Sequence, residues 1–272
     1  MKVTSLVDNE SVVSMPVEHG LSLFVELHDG RTVLFDMGQG RLFADNALRL
    51  GLSIGDVDMA VVSHGHYDHG GGLRTFLGLN AKAPVYVHED AFDPHYSLRD
   101  TGLAYIGLER SLRSDTRLVC CGDITKVSSD IILFADVHGD CLTPPGNRLL
   151  FGPRSEVCDT FTHEQNMLII GGGDVVLFAG CAHAGIVNII NKVWELTGLT
   201  PTHVFSGMHL VKSGLDAGAE SRFVADLARS LSAVPHCRYH TMHCTGLGSF
   251  ARLRQVLPHS IDYLSCGESV VI

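Results

Sequence analysis

Long apolar runs are missing from this chain. No segment reaches the roughly 18 uninterrupted apolar residues that a membrane helix needs. The start, Met1-Lys2-Val3-Thr4-Ser5-Leu6-Val7-Asp8, has no apolar stretch of signal-peptide type. A soluble, cytoplasmic protein with no membrane partner is the expectation. Basic residues are scarce too: 20 Lys and Arg face 30 Asp and Glu, for a net charge of −10. Those 20 are scattered, so nothing offsets the repulsion of an acidic chain from phosphate backbones, and a general nucleic-acid binder is excluded. The eight cysteines, at 120, 121, 141, 158, 181, 237, 244 and 266, form no C-x-x-C pair. They read as free thiols, mostly buried, in a reducing compartment. No repeat, low-complexity tract or linker interrupts the sequence, so one domain over residues 1–272 is expected.

What is abundant is apolar material and histidine. Hydrophobic residues make up 45% and charged residues 18%, enough for an ordinary globular core. Sixteen histidines are more than a solvated surface needs, and imidazoles gather where metals are bound or protons moved. Leu21 to Leu27 and Thr32 to Phe35 read as strands joined by the turn His28-Asp29-Gly30. Helical periodicity covers Arg41 to Leu50, and Gly51 stops it. Val57 to Ser63, Val85 to Val87 and Ile131 to Phe134 read as strands, with a short helix over Leu73 to Leu77. Residues 89–128 look like an irregular insertion. Met167 to Ile170 and Val175 to Phe178 flank Gly171-Gly172-Gly173-Asp174. That segment lacks the Lys-Ser/Thr ending and following helix of a phosphate loop, and is a hairpin turn. Helices are expected over Ile186 to Leu196, Asp216 to Leu231 and Thr245 to Leu257. Short strands are expected at His203 to Phe205, Arg238 to His240 and Tyr263 to Leu264, and Trp194 reads as core. Two sheets with helices outside would bury all these apolar faces.

The chemistry sits in Val61-Val62-Ser63-His64-Gly65-His66-Tyr67-Asp68-His69-Gly70-Gly71-Gly72. Neutral imidazole nitrogen and carboxylate oxygen suit zinc and similar divalent ions. Histidines at i and i+2 of a tight turn can reach one ion; Asp68 and His69 can face a second. Glycines 65 and 70 relieve crowding where the backbone bends. Three further histidines follow strand ends: His183 after Val175 to Ala179, His209 after His203 to Phe205, and His243 after Arg238 to His240. Sites gather at such ends in layered α/β folds. His163 competes with His183, but precedes a strand rather than following one. His209 is either a substrate contact and proton donor or a brace. His19, His28, His88, His95, His138, His203, His236, His240 and His259 read as surface or packing residues.

H-x-H-x-D-H after a strand resembles the signature of the metallo-β-lactamase superfamily. His19-Gly20-Leu21-Ser22-Leu23, Leu34-Phe35-Asp36-Met37-Gly38, Ser63 to His69, Gly180-Cys181-Ala182-His183-Ala184-Gly185-Ile186-Val187-Asn188 and His243-Cys244-Thr245-Gly246 occur in that order. Together they are similar to the branch named for 7,8-dihydropterin-6-yl-methyl-4-(β-D-ribofuranosyl)aminobenzene 5′-phosphate synthase. The resemblance implies a four-layer αββα sandwich of mixed α/β (α+β) class. It implies one metal held by His64, His66 and His183, and another by Asp68, His69 and His243. Zn2+, one or two ions per chain, is the implied cofactor, with Mn2+ or Fe2+ as alternatives. An acidic residue is usual in that branch where this chain has His163. Many two-metal members also carry a bridging Asp where this chain has Cys181. Here either Cys181 approaches the metals, or it is a buried thiol that binds nothing.

The expected activity is hydrolysis: a metal-activated hydroxide attacks an ester or phosphodiester-type bond of a small anionic substrate. Asp68 and His209 are the expected catalytic residues, and Tyr67 and His209 the substrate contacts. The branch name suggests instead a synthase joining a dihydropterin to a ribofuranosylaminobenzene phosphate. A non-catalytic metal- or ligand-binding protein and iron-based redox chemistry are the remaining readings. A small-molecule substrate is the expected partner, and a homo-oligomer is compatible with the sequence.

Overall fold

The computed structural model describes residues 1–211 and 214–272. Its first half runs β1 (Lys2–Val7), β2 (Ser22–Glu26), β3 (Thr32–Phe35), α1 (Leu42–Arg49), β4 (Met59–Val62), α2 (Tyr67–Gly70), α3 (Leu73–Leu79) and β5 (Val85–His88). A hairpin of β6 (Tyr96–Arg99) and β7 (Gly102–Tyr105) precedes β8 (Leu118–Cys121). The second half runs β9 (Ile124–Lys126), β10 (Ile131–Phe134), β11 (Leu150–Phe151), β12 (Asn166–Gly171), β13 (Asp174–Ala179), α4 (Ile186–Thr197), β14 (His203–Ser206) and α5 (Ala217–Ser232). It ends with β15 (Arg238–Thr241), α6 (Leu247–Val256), β16 (Ile261–Tyr263) and β17 (Ser269–Val271).

Two seven-stranded sheets result, in the orders β17-β1-β2-β3-β4-β5-β8 and β16-β15-β14-β13-β12-β10-β9. A small sheet, β11-β6-β7, takes its hairpin β6-β7 from residues 89–128, which the sequence leaves irregular, and its third strand from β11. Strand periodicity sets the layering, because alternate side chains point to opposite faces. On β3, Val33 and Phe35 enter the core between the sheets, while Leu34 faces outward against Phe43 and Ala47 of α1. On β13, Val176 and Phe178 face inward, and Val175, Leu177 and Ala179 meet the helix layer of α4, α5 and α6. The order of layers is therefore helix, sheet, sheet, helix, the expected αββα sandwich.

The inner layer is sealed by aromatic contacts. Phe178 stacks on Phe205 at 5.0 Å and meets Phe35 of the opposing sheet at 5.8 Å. Trp194 departs from the sequence reading: it is 59% exposed. Ile186, Ile189, Ile190 and Val193 already fill the stripe of α4 that faces the sheet, which leaves position 194 at its rim. No helix among the described residues is long and apolar enough to cross a membrane.

Phe178→Ala is expected to cost about 3–5 kcal/mol, because a cavity between two sheets cannot collapse easily. Trp194→Ala is expected to stay within about 0.5 kcal/mol. Urea unfolding of the two variants checks this contrast.

Candidate metal centre

Parallel pairing in the middle of each sheet sends several strand ends to one rim. β3, β4, β13, β14 and β15 run parallel to a neighbour, and the residues just after them converge. They deliver Asp36, His64 and His66, Cys181 and His183, His209, and His243. The turns are tight. Asp36, Ala182, His209 and His243 all take positive φ, at 60°, 54°, 44° and 48°. Each such non-glycine residue costs on the order of 1–2 kcal/mol, which packing elsewhere must offset.

Hydrogen bonds fix the imidazole tautomers. Ser63 Oγ donates to Asp36 Oδ2 at 2.7 Å, so its lone pair accepts His64 Nδ1–H at 2.8 Å. Asn147 Nδ2 donates to the His183 carbonyl at 2.8 Å, which turns Asn147 Oδ1 toward His183 Nδ1–H at 3.0 Å. Nδ1 of both rings is thus a donor, and Nε2 is a bare lone pair. Nε2 of His64, His66 and His183 is buried with no hydrogen-bond partner in each case. The three rings offer donor atoms within 4.8 Å of one another. Orphaned buried nitrogens are costly unless something fills the space among them. A divalent ion with nitrogen ligands fits that set. Burial, and then the neighbouring imidazoles, hold all three pKa values well below the usual histidine range, so the rings are neutral and ready to ligate.

A second set adjoins the first. His69 Nδ1 donates to Asp36 Oδ2 at 2.7 Å, and His243 Nδ1 donates to Asn9 Oδ1 at 2.8 Å. Their Nε2 atoms then face each other at 3.3 Å. Two lone pairs so placed repel unless a proton or cation lies between them. Asp68 Oδ2 is 3.5 Å from His243 Nε2, and Cys181 Sγ is 3.1 Å from His69 Nε2. Burial opposes the Asp68 charge, but His19, His243 and His69 together hold its carboxyl well below the usual range. Burial likewise works against charging His69, yet Asp36 raises its pKa. Cys244 lies within reach of Cys181 and His243 and accepts the His209 N–H at 3.2 Å.

The six expected ligand residues, His64, His66, Asp68, His69, His183 and His243, therefore come together. His209 sits beside them, its ring 4.4 Å from that of His183 and its Nδ1 buried without a partner. Tyr67 packs against Ile106, Leu150 and Phe161 at the edge of the site. His163 lies behind the first set, 5.5 Å from the His66 ring and 6.0 Å from the His64 ring. His19 corrects the sequence reading: its Nε2 is 3.1 Å from Asp68 Oδ2, and its ring is 4.8 Å from His243. The sequence reading also passed over Asp36, Asn9, Asn147 and Glu164. Glu164 accepts the N–H groups of His183 and Ala184 at 2.6 and 2.9 Å, while burial pushes it up to about 7. Asp36 did carry a signal, since it ends an apolar strand inside the quoted Leu34-to-Gly38 run.

Comparison with known proteins shows the family. Residues 15–213 match the family described as the Metallo-beta-lactamase superfamily. An uncharacterized protein of Methanocaldococcus jannaschii is 30% identical, over 92% of this chain and 93% of that one. The 7,8-dihydropterin-6-methyl-4-(beta-D-ribofuranosyl)-aminobenzene-5'-phosphate synthase of the same organism is 21% identical, over 99% of this chain and 96% of its own. A solved metal-dependent hydrolase of the beta-lactamase superfamily superposes with a TM-score of 0.82 at 28% identity, over 100% of this chain and 99% of that one.

Asp36→Asn turns one of two oxygens, which together accept three donors, into an NH2 group that cannot accept. Zinc affinity is expected to fall about 10–100-fold, the usual effect of removing a group that orients a ligand. Competition with a chromophoric chelator measures it, and unchanged affinity would contradict the role given to Asp36.

Proposed function

Since this chain belongs to the metallo-beta-lactamase superfamily, we propose that it is a cytoplasmic metal-dependent hydrolase, one domain over residues 1–272, cleaving an ester or phosphodiester-type bond of a small anionic substrate. The observation that carries the reading is the convergence of three buried, partnerless Nε2 atoms, of His64, His66 and His183, beside Asp68, His69 and His243. His64, His66 and His183 would hold one zinc ion, and Asp68, His69 and His243 a second. Zinc bound there supplies Lewis-acid polarisation of a substrate oxygen and lowers the pKa of water to about 7.

The chain's own residues orient the reaction. Asp68 stays ionised, and its Oδ2 is positioned to steer the attacking oxygen, with His19 and His243 fixing its carboxylate. His209 brings the unpaired Nδ1 of a partly exposed ring to the same rim, which suits a substrate contact or proton donor. Tyr67 contributes an aromatic wall. The free thiols among the described residues are consistent with a reducing compartment.

A second reading has its own support. The dihydropterin synthase relative spans nearly the whole chain. The same site could stabilise developing charge while a pterin and a ribosylated aminobenzene phosphate are joined. Product analysis with those two compounds separates synthesis from hydrolysis.

Metal content and turnover on a panel of phosphodiesters and esters test the main reading. His66→Ala is expected to lose bound zinc and to drop kcat/KM on the order of 10³-fold while staying folded. Full turnover by that metal-free variant would sink the proposal. His209→Gln should keep its zinc and lose about 10²-fold in kcat. Loss of zinc in His209→Gln would instead make it a ligand.

A further inference from the structure

Behind His64 and His66 lies a second group of titratable side chains, His95, Asp159 and His163, that the reaction above does not use. With His66 they offer donor atoms within 4.8 Å of one another, which on composition alone suggests another cation site. Counting protons gives a different answer. Gly65 N–H donates to His163 Nδ1 at 2.9 Å. That nitrogen is therefore the bare one, and Nε2 of the neutral ring must carry the hydrogen. His163 Nε2–H points to Asp159 Oδ2 at 3.3 Å, and His95 Nδ1–H points to the same oxygen at 2.9 Å. The other carboxylate oxygen accepts Phe161 N–H at 2.8 Å. Protons thus lie between Asp159 and both rings, while His95 Nε2, on the far side of its ring, is left bare.

We infer that Asp159, His95 and His163 form a proton-filled clamp that fixes the Gly65 peptide, and so presets the spacing of His64 and His66 before a cation arrives. The inference rests on the reading that His64 and His66 hold that cation. Gly65 is the only residue between the two ligands, so its peptide orientation sets where both side chains start. One side of that peptide is held by the His163 acceptor. The other is closed sterically: a Cβ at position 65 would lie 2.4 Å from the Ala91 carbonyl oxygen and 2.7 Å from His95 Nε2. The His95 and His163 rings are themselves locked together, with centroids 3.9 Å apart and both side chains buried.

The clamp is anchored beyond its three side chains. The His95 carbonyl accepts Ile106 N–H, and the Ile106 carbonyl accepts Tyr67 N–H, each at 2.8 Å. Gln165, two residues after His163, donates from its backbone to the Ser63 carbonyl and from its side chain to the Val62 carbonyl, both at 2.8 Å. Phe161 of the same segment stacks on His183 at 4.3 Å. The segment 159–165 therefore touches every ligand of the first set. His163 and His95 are positioning residues: they act on the ligand pair through a peptide, not on substrate.

Zinc affinity of the full-length protein, by chelator competition, tests the clamp. His163→Ala is expected to weaken binding about 10–100-fold. His163→Asn offers an amide oxygen where Nδ1 stood and should recover most of that loss, which a purely space-filling role would not predict. Asp159→Asn should weaken binding comparably, because the new NH2 group must face either the Phe161 N–H or both imidazole N–H groups. Nitrogen-15 spectra of the zinc-loaded wild type should show His163 protonated at Nε2 and free of metal. Wild-type affinity in His163→Ala, equal loss in His163→Asn and His163→Ala, or a metal-bound His163 nitrogen would each overturn the clamp alone. A wild-type protein that takes up no zinc would overturn the metal reading on which the clamp rests.

Discussion

The site depends on one buried carboxylate. Asp36 is fully buried, and its oxygens accept three donors: Ser63 N–H, Ser63 Oγ–H and His69 Nδ1–H, each at 2.7 Å. A charged group so deep is tolerated only when every lone pair has a use. The consequences spread outward. Because Ser63 must give its proton to Asp36, it can only accept from His64, so the His64 tautomer is settled. Because His69 must donate from Nδ1, its Nε2 faces the centre bare. One aspartate at the end of β3 thus orients a ligand in each half of the cluster, across the turn that joins β4 to α2.

The same logic recurs at the other ligands, with neutral groups in place of a charge. Asn147 sets His183 and Asn9 sets His243. The result is that His64, His69, His183 and His243 each commit Nδ1 outward and turn Nε2 toward the centre. A polar cluster of this kind is unstable on its own terms: its lone pairs repel, and burial denies them water. The sandwich offsets that cost with the apolar layer around Phe35, Phe178 and Phe205, and with the helix layers outside. Strain follows in part the same division, since Asp36, Ala182, His209 and His243, each at positive φ, lie where strands end at the site. Rigid strands hold the backbone, and the turns after them carry the chemistry.

How much of this was legible in the sequence follows from what each feature depends on. The two central hairpins, the main helices and the layering came through, because period-2 and period-3.6 patterns depend only on which face is buried. The proximity of the six expected ligand positions was legible because strand ends followed by His or Asp are local signals, and the resemblance joined them. Asp159, Asn147 and Asn9 did not come through. Each acts across 36 or more residues on an imidazole, at His95, His183 and His243 respectively, and an isolated Asp or Asn in a loop carries no sign of that pairing. His19 was misjudged for the same reason: its partner, Asp68, lies on another element. Trp194 was misjudged because helical periodicity places a residue near the apolar stripe without saying how far the neighbouring isoleucines already cover it.

The tautomer pattern also bears on how the cation would compete with protons. A ligand histidine of ordinary basicity is increasingly protonated below about pH 6.5, and its metal is displaced. Here burial and mutual repulsion lower the basicity of His64, His66 and His183 together, so a proton is a poor competitor at any one of them. His69 is the exception, because Asp36 raises its pKa. A cation held by the first set would therefore survive mildly acidic conditions, whereas the set containing His69 would lose a lone pair to a proton earlier. Unequal proton affinity across two neighbouring sets, created by a single aspartate, is a physical reason for them to fill and empty separately.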